Sequence, residues 1–81
     1  MTIITQADVL ATIEKAVELI PASLLETARA DQVAGWDSLG QLSILVALDK
    51  LFDGKIASIA EVAEADSVPK ILAILKQHSL L

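Results

Sequence analysis

Apolar side chains recur along three stretches of this chain at steps of three and four residues, the spacing of one face of an α-helix. In the first stretch, four aliphatic positions share such a face: Leu10, Ile13, Val17 and Ile20. Thr5 precedes them and suits an N-cap, with Asp8 at the third helical position. Pro21 disfavours the helical conformation in the residue before it. We therefore predict a first helix over residues 6–19.

A second stretch runs from Ser38 to about Phe52 and has leucines at steps of three: Leu39, Leu42, Leu45 and Leu48. Gly54 follows it and supplies the positive φ at which helices commonly end. A weaker pattern predicts a short helix from residue 58 or 59 to 65. Ser67 is a suitable cap for a last helix with Ile71, Leu72, Leu75 and Leu80 on its buried side, and Pro69 is tolerated in its first turn.

The connection between the first two helices, residues 21–37, is long for so small a chain. We expect Leu24, Leu25 and Val33 to reach into the core and hold it in place. No stretch alternates with the two-residue period of a β-strand. The predicted fold is all-α: a small four-helix bundle with three longer helices and one short helix. It forms a single domain over residues 1–81, with a long loop between helices one and two.

Composition limits the chemistry that this chain can support. Of its 81 residues, 54% are hydrophobic, enough to build a core, and Trp36 and Phe52 are the only aromatic residues. The chain has no cysteine. Disulfides, thiolate metal sites and cysteine nucleophiles are therefore excluded.

Charge indicates the kind of partner. The formal net charge is −5, and an acidic surface with few aromatic rings argues against binding to nucleic acid. Partners with basic surfaces fit better. The N-terminal segment MTIITQADVL lacks the basic region of a signal peptide, and no apolar run approaches the roughly 20 residues that span a bilayer. We therefore expect a cytoplasmic protein without a membrane span.

Residues that could support catalysis or bind a metal are few. The only histidine is His78, near the C-terminus, where a solvated side chain is expected. Glu14 and Glu18 are one helical turn apart, as are Glu61 and Glu64. Such pairs are more typical of a solvated helix face than of a metal site, and no catalytic or phosphate-binding motif is present. We expect neither an enzyme nor a metal site.

The start of the second helix allows two arrangements. Ser38 can be the N-cap, forming a capping box with Gln41. Alternatively Asp37 is the N-cap and Ser38 is the first helical residue, with its hydroxyl free beside unpaired N–H groups that favour an anion. Local physics favours the first arrangement, because serine is common as a helix cap.

Residues 35–39, Gly-Trp-Asp-Ser-Leu, resemble the G-x-D-S-L signature of acyl carrier proteins. As in that family, an apolar helix follows that ends in a phenylalanine and a turn, within the segment LVALDKLFDGKI. The resemblance extends over essentially the whole chain, in the order and length of the predicted helices.

The resemblance implies a specific modification. In this family a separate, magnesium-dependent phosphopantetheinyl transferase moves 4′-phosphopantetheine from coenzyme A to the signature serine, here Ser38. The thiol of the arm then carries an acyl group as a thioester between acyl-loading and acyl-transferring enzymes, and the carrier catalyses nothing. By the same resemblance, Asp37 would cap the helix and assist recognition. Leu39 would anchor the start of the helix in the core.

The chain departs from carriers of bulk fatty acid synthesis, whose second helix is strongly acidic. Other residue types stand where acids are expected: Gly40, Gln41, Ser43, Lys50 and Leu51. Asp37, Asp49 and Asp53 are the acids that remain around this helix. Leu42 and Val46 lie one turn apart and form either an exposed apolar strip or part of the core. With Asp49 and Asp53 they are the candidate partner-binding residues.

The main hypothesis is a free-standing, monomeric acyl carrier protein that serves secondary or cell-surface lipid metabolism. One alternative is the same fold carrying an aminoacyl or peptidyl group, such as D-alanine. A second alternative is an unmodified helical adaptor, in which Ser38 only caps a helix. In that case Leu42, Val46 and Leu51 would form a protein-binding face.

Overall fold

The computed structural model describes residues 3–20 and 23–81. Within these ranges the chain forms four α-helices and one 3-10 turn, and no strand beyond an isolated bridge between Arg29 and Ser67. The elements are α1 (Gln6–Ala16), the 3-10 turn Ala30–Gln32, α2 (Ser38–Leu51), α3 (Ala60–Glu64) and α4 (Val68–Gln77). The predicted all-α class and small helical bundle are confirmed. No helix in the described ranges is both long enough and apolar enough to cross a membrane.

Helix α1 begins as predicted. The Thr5 hydroxyl accepts the backbone N–H of Asp8 at 3.3 Å, and the Asp8 carboxylate accepts the backbone N–H of Thr5 at 2.9 Å. This reciprocal pair is a capping box, which satisfies two N–H groups that the helix cannot bond internally.

The end of α1 differs from the prediction. The helix stops at Ala16 rather than residue 19, because Glu18 adopts a left-handed conformation with φ of 58°. The chain then turns away from the helix axis, and Ile20, expected on the buried face, is 77% exposed. Pro21, to which the prediction assigned the helix end, lies outside the described residues.

The connection after α1 is fastened by a buried carboxylate. Glu14 is 6% exposed, and its Oε2 accepts the backbone N–H of Leu24 at 2.8 Å. The expectation of a solvated Glu14 was wrong, because its carboxylate satisfies a backbone group that would otherwise be buried unpaired. Leu24 is buried as predicted, whereas Leu25 is 69% exposed and is not an anchor. The long loop itself stays a prediction, since residues 21 and 22 are not described.

The core is formed by all four helices and the segments that join them, and it is almost wholly aliphatic. Its completely enclosed side chains are Val9, Ile13, Ile44, Leu48, Ile56, Val62, Val68, Ile71 and Leu75. On α2 the buried face recurs at steps of four residues, through Gly40, Ile44 and Leu48. The leucines at steps of three therefore rotate around the helix, and of them only Leu48 is fully buried.

The ends of α2 and α4 follow the sequence signals. Phe52 is the buried C-cap of α2, and Asp53 and Gly54 continue with φ of 54° and 81°. The Ser67 hydroxyl accepts the backbone N–H of Lys70 at 3.2 Å and caps α4. Helix α3, of five residues, lies in the chain between these two ends.

Candidate functional site

Asp37 is the N-cap of α2. It has extended backbone angles, φ −102° and ψ −163°, and its Oδ1 accepts the backbone N–H of Gly40 at 2.8 Å. The carbonyl oxygen of Asp37 accepts the N–H of Gln41 at 2.8 Å and begins the helical bonding pattern. The alternative capping box between Ser38 and Gln41 is wrong, because the N–H of Gln41 donates to the carbonyl oxygen of Asp37 and the Gln41 side chain bonds Trp36 and α3.

Ser38 is therefore the first residue of α2, and its side chain is exposed. Since Asp37 binds the N–H of Gly40, the hydroxyl of Ser38 is not required for capping. The backbone N–H groups of Ser38, Leu39 and Gly40 have no carbonyl partner within the helix, and Asp37 takes that of Gly40. An anion attached to Ser38 would lie next to these donors and to the positive end of the helix dipole.

Leu39 does not anchor the start of the helix. Its side chain is 76% exposed, so the role that the family resemblance implied for it is wrong here. The buried residue at this end is Trp36, which is 5% exposed and lies on the other side of the cap. Leu39 precedes Gly40 by one residue, a rotation of about 100° away from the buried face of α2.

Two glycines allow the cap to pack closely. A Cβ atom on Gly40 would overlap the carbonyl oxygen of Gly35, and a Cβ atom on Gly35 would lie 2.6 Å from the carbonyl oxygen of Val17. Neither oxygen can move without moving the backbone. The first turn of α2 thus packs on Gly35, and Gly35 packs on Val17, the residue after α1. Neither glycine position has room for a side chain.

Gln41 joins α2 to α3, a role that sequence analysis missed. Its Oε1 accepts the indole N–H of Trp36, and its Nε2 donates to carbonyl oxygens at the C-terminal end of α3. In the sequence alone, a polar residue one turn after the cap indicates only that this face of the helix is exposed. Its partners on α3 are more than 20 positions away, and no local pattern reveals them.

An open cleft of about 410 Å³ lies beside Ser38. One wall comes from Trp36, Asp37, Ser38 and Gln41, and the other from Ala63, Glu64 and Asp66 at the end of α3. The ammonium group of Lys70 lies 2.9 Å from Oδ1 of Asp66, and this hydrogen bond and charge hold the pKa of Asp66 below its ordinary value. The acidic wall therefore carries a partly compensated charge at neutral pH.

An apolar groove of about 370 Å³ separates α2 from α3. It is lined by Leu45, Val46, Asp49, Lys50, Ile56, Ala57, Ile59, Ala60 and Ala63. Ala63 lines both this groove and the cleft beside Ser38. An apolar surface therefore lies near Ser38, and the sequence did not predict its position.

The four candidate partner-binding residues have different environments. Leu42 and Val46 are 58% and 50% exposed, which confirms the exposed strip and excludes the core alternative. Asp53 is exposed at the end of α2. Asp49 is half-buried, and its Oδ1 accepts the backbone N–H groups of Ile56 at 3.1 Å and Ala57 at 2.9 Å. This carboxylate holds the segment that leads to α3.

His78 and Glu61 are the remaining titratable side chains that lie close to each other in sequence-distant parts of the described chain. His78 is the C-cap of α4, and its Nε2 lies 3.6 Å from Oε1 of Glu61. In the part of the chain that the structure describes, no group of three or more histidine, cysteine or acidic side chains could hold a metal ion.

Comparison with protein-family models, curated proteins and solved structures finds no match to this chain. The geometry around Ser38 and the resemblance of residues 35–39 to the carrier signature are the basis for a functional assignment.

Proposed function

We propose that this chain is an acyl carrier protein that bears 4′-phosphopantetheine on Ser38. The observation that carries the proposal is the division of roles at the start of α2. Asp37 caps the helix and Ser38, its first residue, keeps an exposed hydroxyl. A serine that merely capped the helix would have its oxygen engaged with the backbone.

The modification is a phosphoryl transfer. The Ser38 oxygen attacks the phosphorus that bears the pantetheine arm in the pyrophosphate of coenzyme A. A bond forms between this oxygen and phosphorus, and the bond from phosphorus to the bridging oxygen breaks. Adenosine bisphosphate leaves, and the hydroxyl proton passes to a base of the transferase, which also holds the magnesium ion. The carrier contributes an accessible nucleophile in a fixed position.

The residues around Ser38 fit the group. The phosphodiester would lie beside the free N–H groups of Ser38 and Leu39, which favour a negative charge. When bound, the group supplies a terminal thiol that forms thioesters. The exposed position of Ser38 at one end of the bundle leaves room for the arm to extend toward partner enzymes.

The apolar groove supports an acyl group rather than an aminoacyl group. Its lining includes Leu45, Ile59 and Ala63, and Ala63 also borders the Ser38 cleft. An aliphatic chain on the arm would remove apolar surface from water there, at about 25 cal/mol for each Å² buried. A D-alanyl group is too small and too polar to gain much from this surface.

Partner enzymes would dock on the exposed strip of α2. Leu42 and Val46 are apolar and exposed, whereas Asp49 is occupied by backbone groups. The apolar contribution to docking should therefore exceed the electrostatic one. This balance favours a carrier of a dedicated lipid pathway over one that serves bulk fatty acid synthesis.

The test is the intact mass of the protein purified from its own host, together with Ser38→Ala expressed in the same way. The proposal expects a species heavier than the sequence by one phosphopantetheinyl group, with or without an acyl group, and expects it to be missing in the variant. An adaptor would have the mass of the bare chain in both preparations.

A further inference from the structure

One side chain hydrogen-bonds to both walls of the cleft beside Ser38. The carboxamide oxygen of Gln41 accepts the indole N–H of Trp36 on the first wall. Its amide nitrogen donates to the carbonyl oxygen of Ala63 on the second wall at 3.1 Å, and to the neighbouring carbonyl oxygens of Val62 at 3.2 Å and Ala65 at 2.9 Å. The two amide hydrogens are thus shared among three acceptors, and both polar atoms of the carboxamide are in use.

Helix α3 needs such support from outside itself. It has five residues, far fewer than a helix needs to persist alone, and Ile59 at its N-cap provides no side-chain cap. The carbonyl groups in the last turn of any α-helix lack partners within the helix. At the end of α3 the Val62 carbonyl already accepts the N–H of Ala65, and the amide of Gln41 supplies a donor to the carbonyls of Ala63 and Ala65. Asp49 fixes the segment before α3 through Ile56 and Ala57.

We infer that Gln41 is a positioning residue for the Ser38 site. It fastens Trp36 to the end of α3 and so holds the cleft beside Ser38 in the one shape that a modifying enzyme meets. The last step rests on the proposed function, whereas the link between Trp36 and α3 is a property of the unmodified chain. Gln41 lies on α2 one turn beyond Ser38, so the attachment point and the link move as one body.

A positioning role has a distinct kinetic signature. If α3 detaches part of the time, only a fraction of the carrier molecules presents a competent cleft, and apparent affinity falls by that fraction. The bond-making step on a correctly bound carrier is unchanged. Loss of the link should therefore raise the KM of the transferase for the carrier and leave kcat nearly unaltered.

Two substitutions distinguish the hydrogen bond between Gln41 and Trp36 from the hydrogen bonds between Gln41 and α3. Gln41→Glu keeps an oxygen that accepts from Trp36 but removes both donors to α3. Gln41→Leu removes both halves at similar volume. Gln77→Glu is the matched control, because it makes the same chemical change at an exposed residue in the last turn of α4. All three are made in the full chain.

Three measurements are made on each variant. Amide hydrogen exchange reports local opening along the chain, and fluorescence reports on Trp36 alone, since the chain has no other tryptophan and no tyrosine. Steady-state modification by a permissive phosphopantetheinyl transferase gives KM and kcat. In Gln41→Glu we expect exchange in residues 60–65 to rise about tenfold or more, because each hydrogen bond lost lowers the cost of local opening. KM should rise severalfold at unchanged kcat.

Gln41→Leu should show the same changes and also a shifted Trp36 emission, and Gln77→Glu should match the parent throughout. Exchange that rises equally in α1, α3 and α4 would overturn the inference, since Gln41 would then support the whole fold and not the cleft. Unaltered exchange in α3 would overturn it too, as would a fall in kcat at constant KM. If no variant, including the parent, is modified, the proposed function fails, while exchange and fluorescence still decide whether Gln41 links Trp36 to α3.

Discussion

Gly40 lies directly against the carbonyl oxygen of Gly35, with no space between them for a Cβ atom. The contact joins the first turn of α2 to the residue before Trp36, and Gly40 is buried on the face that packs into the core. The position of Ser38 therefore depends on a residue two places after it that has no side chain. A glycine inside a helix otherwise lowers helix stability by about 1 kcal/mol relative to alanine.

Gly40→Ala should destabilise the protein although alanine is the better helix former. The added methyl group has to displace a backbone oxygen, and overpacking of this kind costs about 1–3 kcal/mol, which equals or exceeds the gain in propensity. Chemical denaturation measures the change, with Ser43→Ala on the exposed side of α2 as the control expected to lie within about 0.5 kcal/mol of the parent. A Gly40→Ala protein more stable than the parent would contradict the close contact.

Truncation of the two adjacent leucines of the connection should lower the unfolding free energy by very different amounts. Leu24 is 8% exposed, and Leu24→Ala should cost about 2–5 kcal/mol of unfolding free energy. Leu25 is 69% exposed, and Leu25→Ala should cost less than about 0.5 kcal/mol. Thermal melting of both variants tests the prediction, and equal melting temperatures would mean that the connection is not held by Leu24.

These leucines show that the sequence predicts features set by neighbouring residues better than features set by contacts between distant ones. The helices were predictable because apolar spacing, the Thr5 cap and the Asp53–Gly54 turn are local signals. The sequence did not predict which of Leu24 and Leu25 is buried. The backbone of Leu24 is held by the buried carboxylate of Glu14, ten positions earlier in the chain. The end of α1 was misjudged for a related reason: Glu18 takes a left-handed conformation that no residue type demanded.

At the site, the sequence singles out Ser38 as the candidate attachment residue, but it does not predict the surroundings of Ser38. Residues 35–39 identify Ser38, and the structure selects between the two caps that the sequence allowed. Leu39 was assigned to the core by resemblance, yet the four-residue period of the buried face turns it outward. Gln41 was passed over because its partners come from α3, and only the folded chain brings them together.

The exposed strip of α2 predicts a preference among partner enzymes. Docking on the basic surface of a housekeeping fatty acid synthase needs acids on this helix, and here Leu42 occupies an exposed position. We expect malonyl-loaded protein to be elongated poorly compared with the main carrier of the host. Leu42→Glu should improve elongation at low salt, since an added acid increases the rate of encounter with a basic surface.

The control for the strip is Leu25→Glu, which adds the same charge at an exposed leucine outside α2. It should leave elongation at the level of the parent. Elongation of the parent as efficient as that of the main carrier would refute the idea of a carrier for a dedicated pathway.

The cap predicts a contrast in stability between neighbouring residues. Asp37→Ala removes the acceptor of the Gly40 N–H and should cost about 0.5–2 kcal/mol. Ser38→Ala places the best helix former at the first helical position and should leave unfolding free energy within about 0.5 kcal/mol of the parent. Denaturation curves of both variants decide this, and the reverse order of stability would restore Ser38 as the cap.

Covalent modification of Ser38 is the central claim, and intact mass spectrometry tests it most directly. The parent, Ser38→Ala and Asp37→Ala are each treated with coenzyme A, magnesium and a permissive phosphopantetheinyl transferase. We expect the parent to gain the mass of one phosphopantetheinyl group, Asp37→Ala to gain it more slowly, and Ser38→Ala to gain nothing while remaining helical. Modification of Ser38→Ala, or a parent chain that every transferase tried leaves unmodified, would contradict the account.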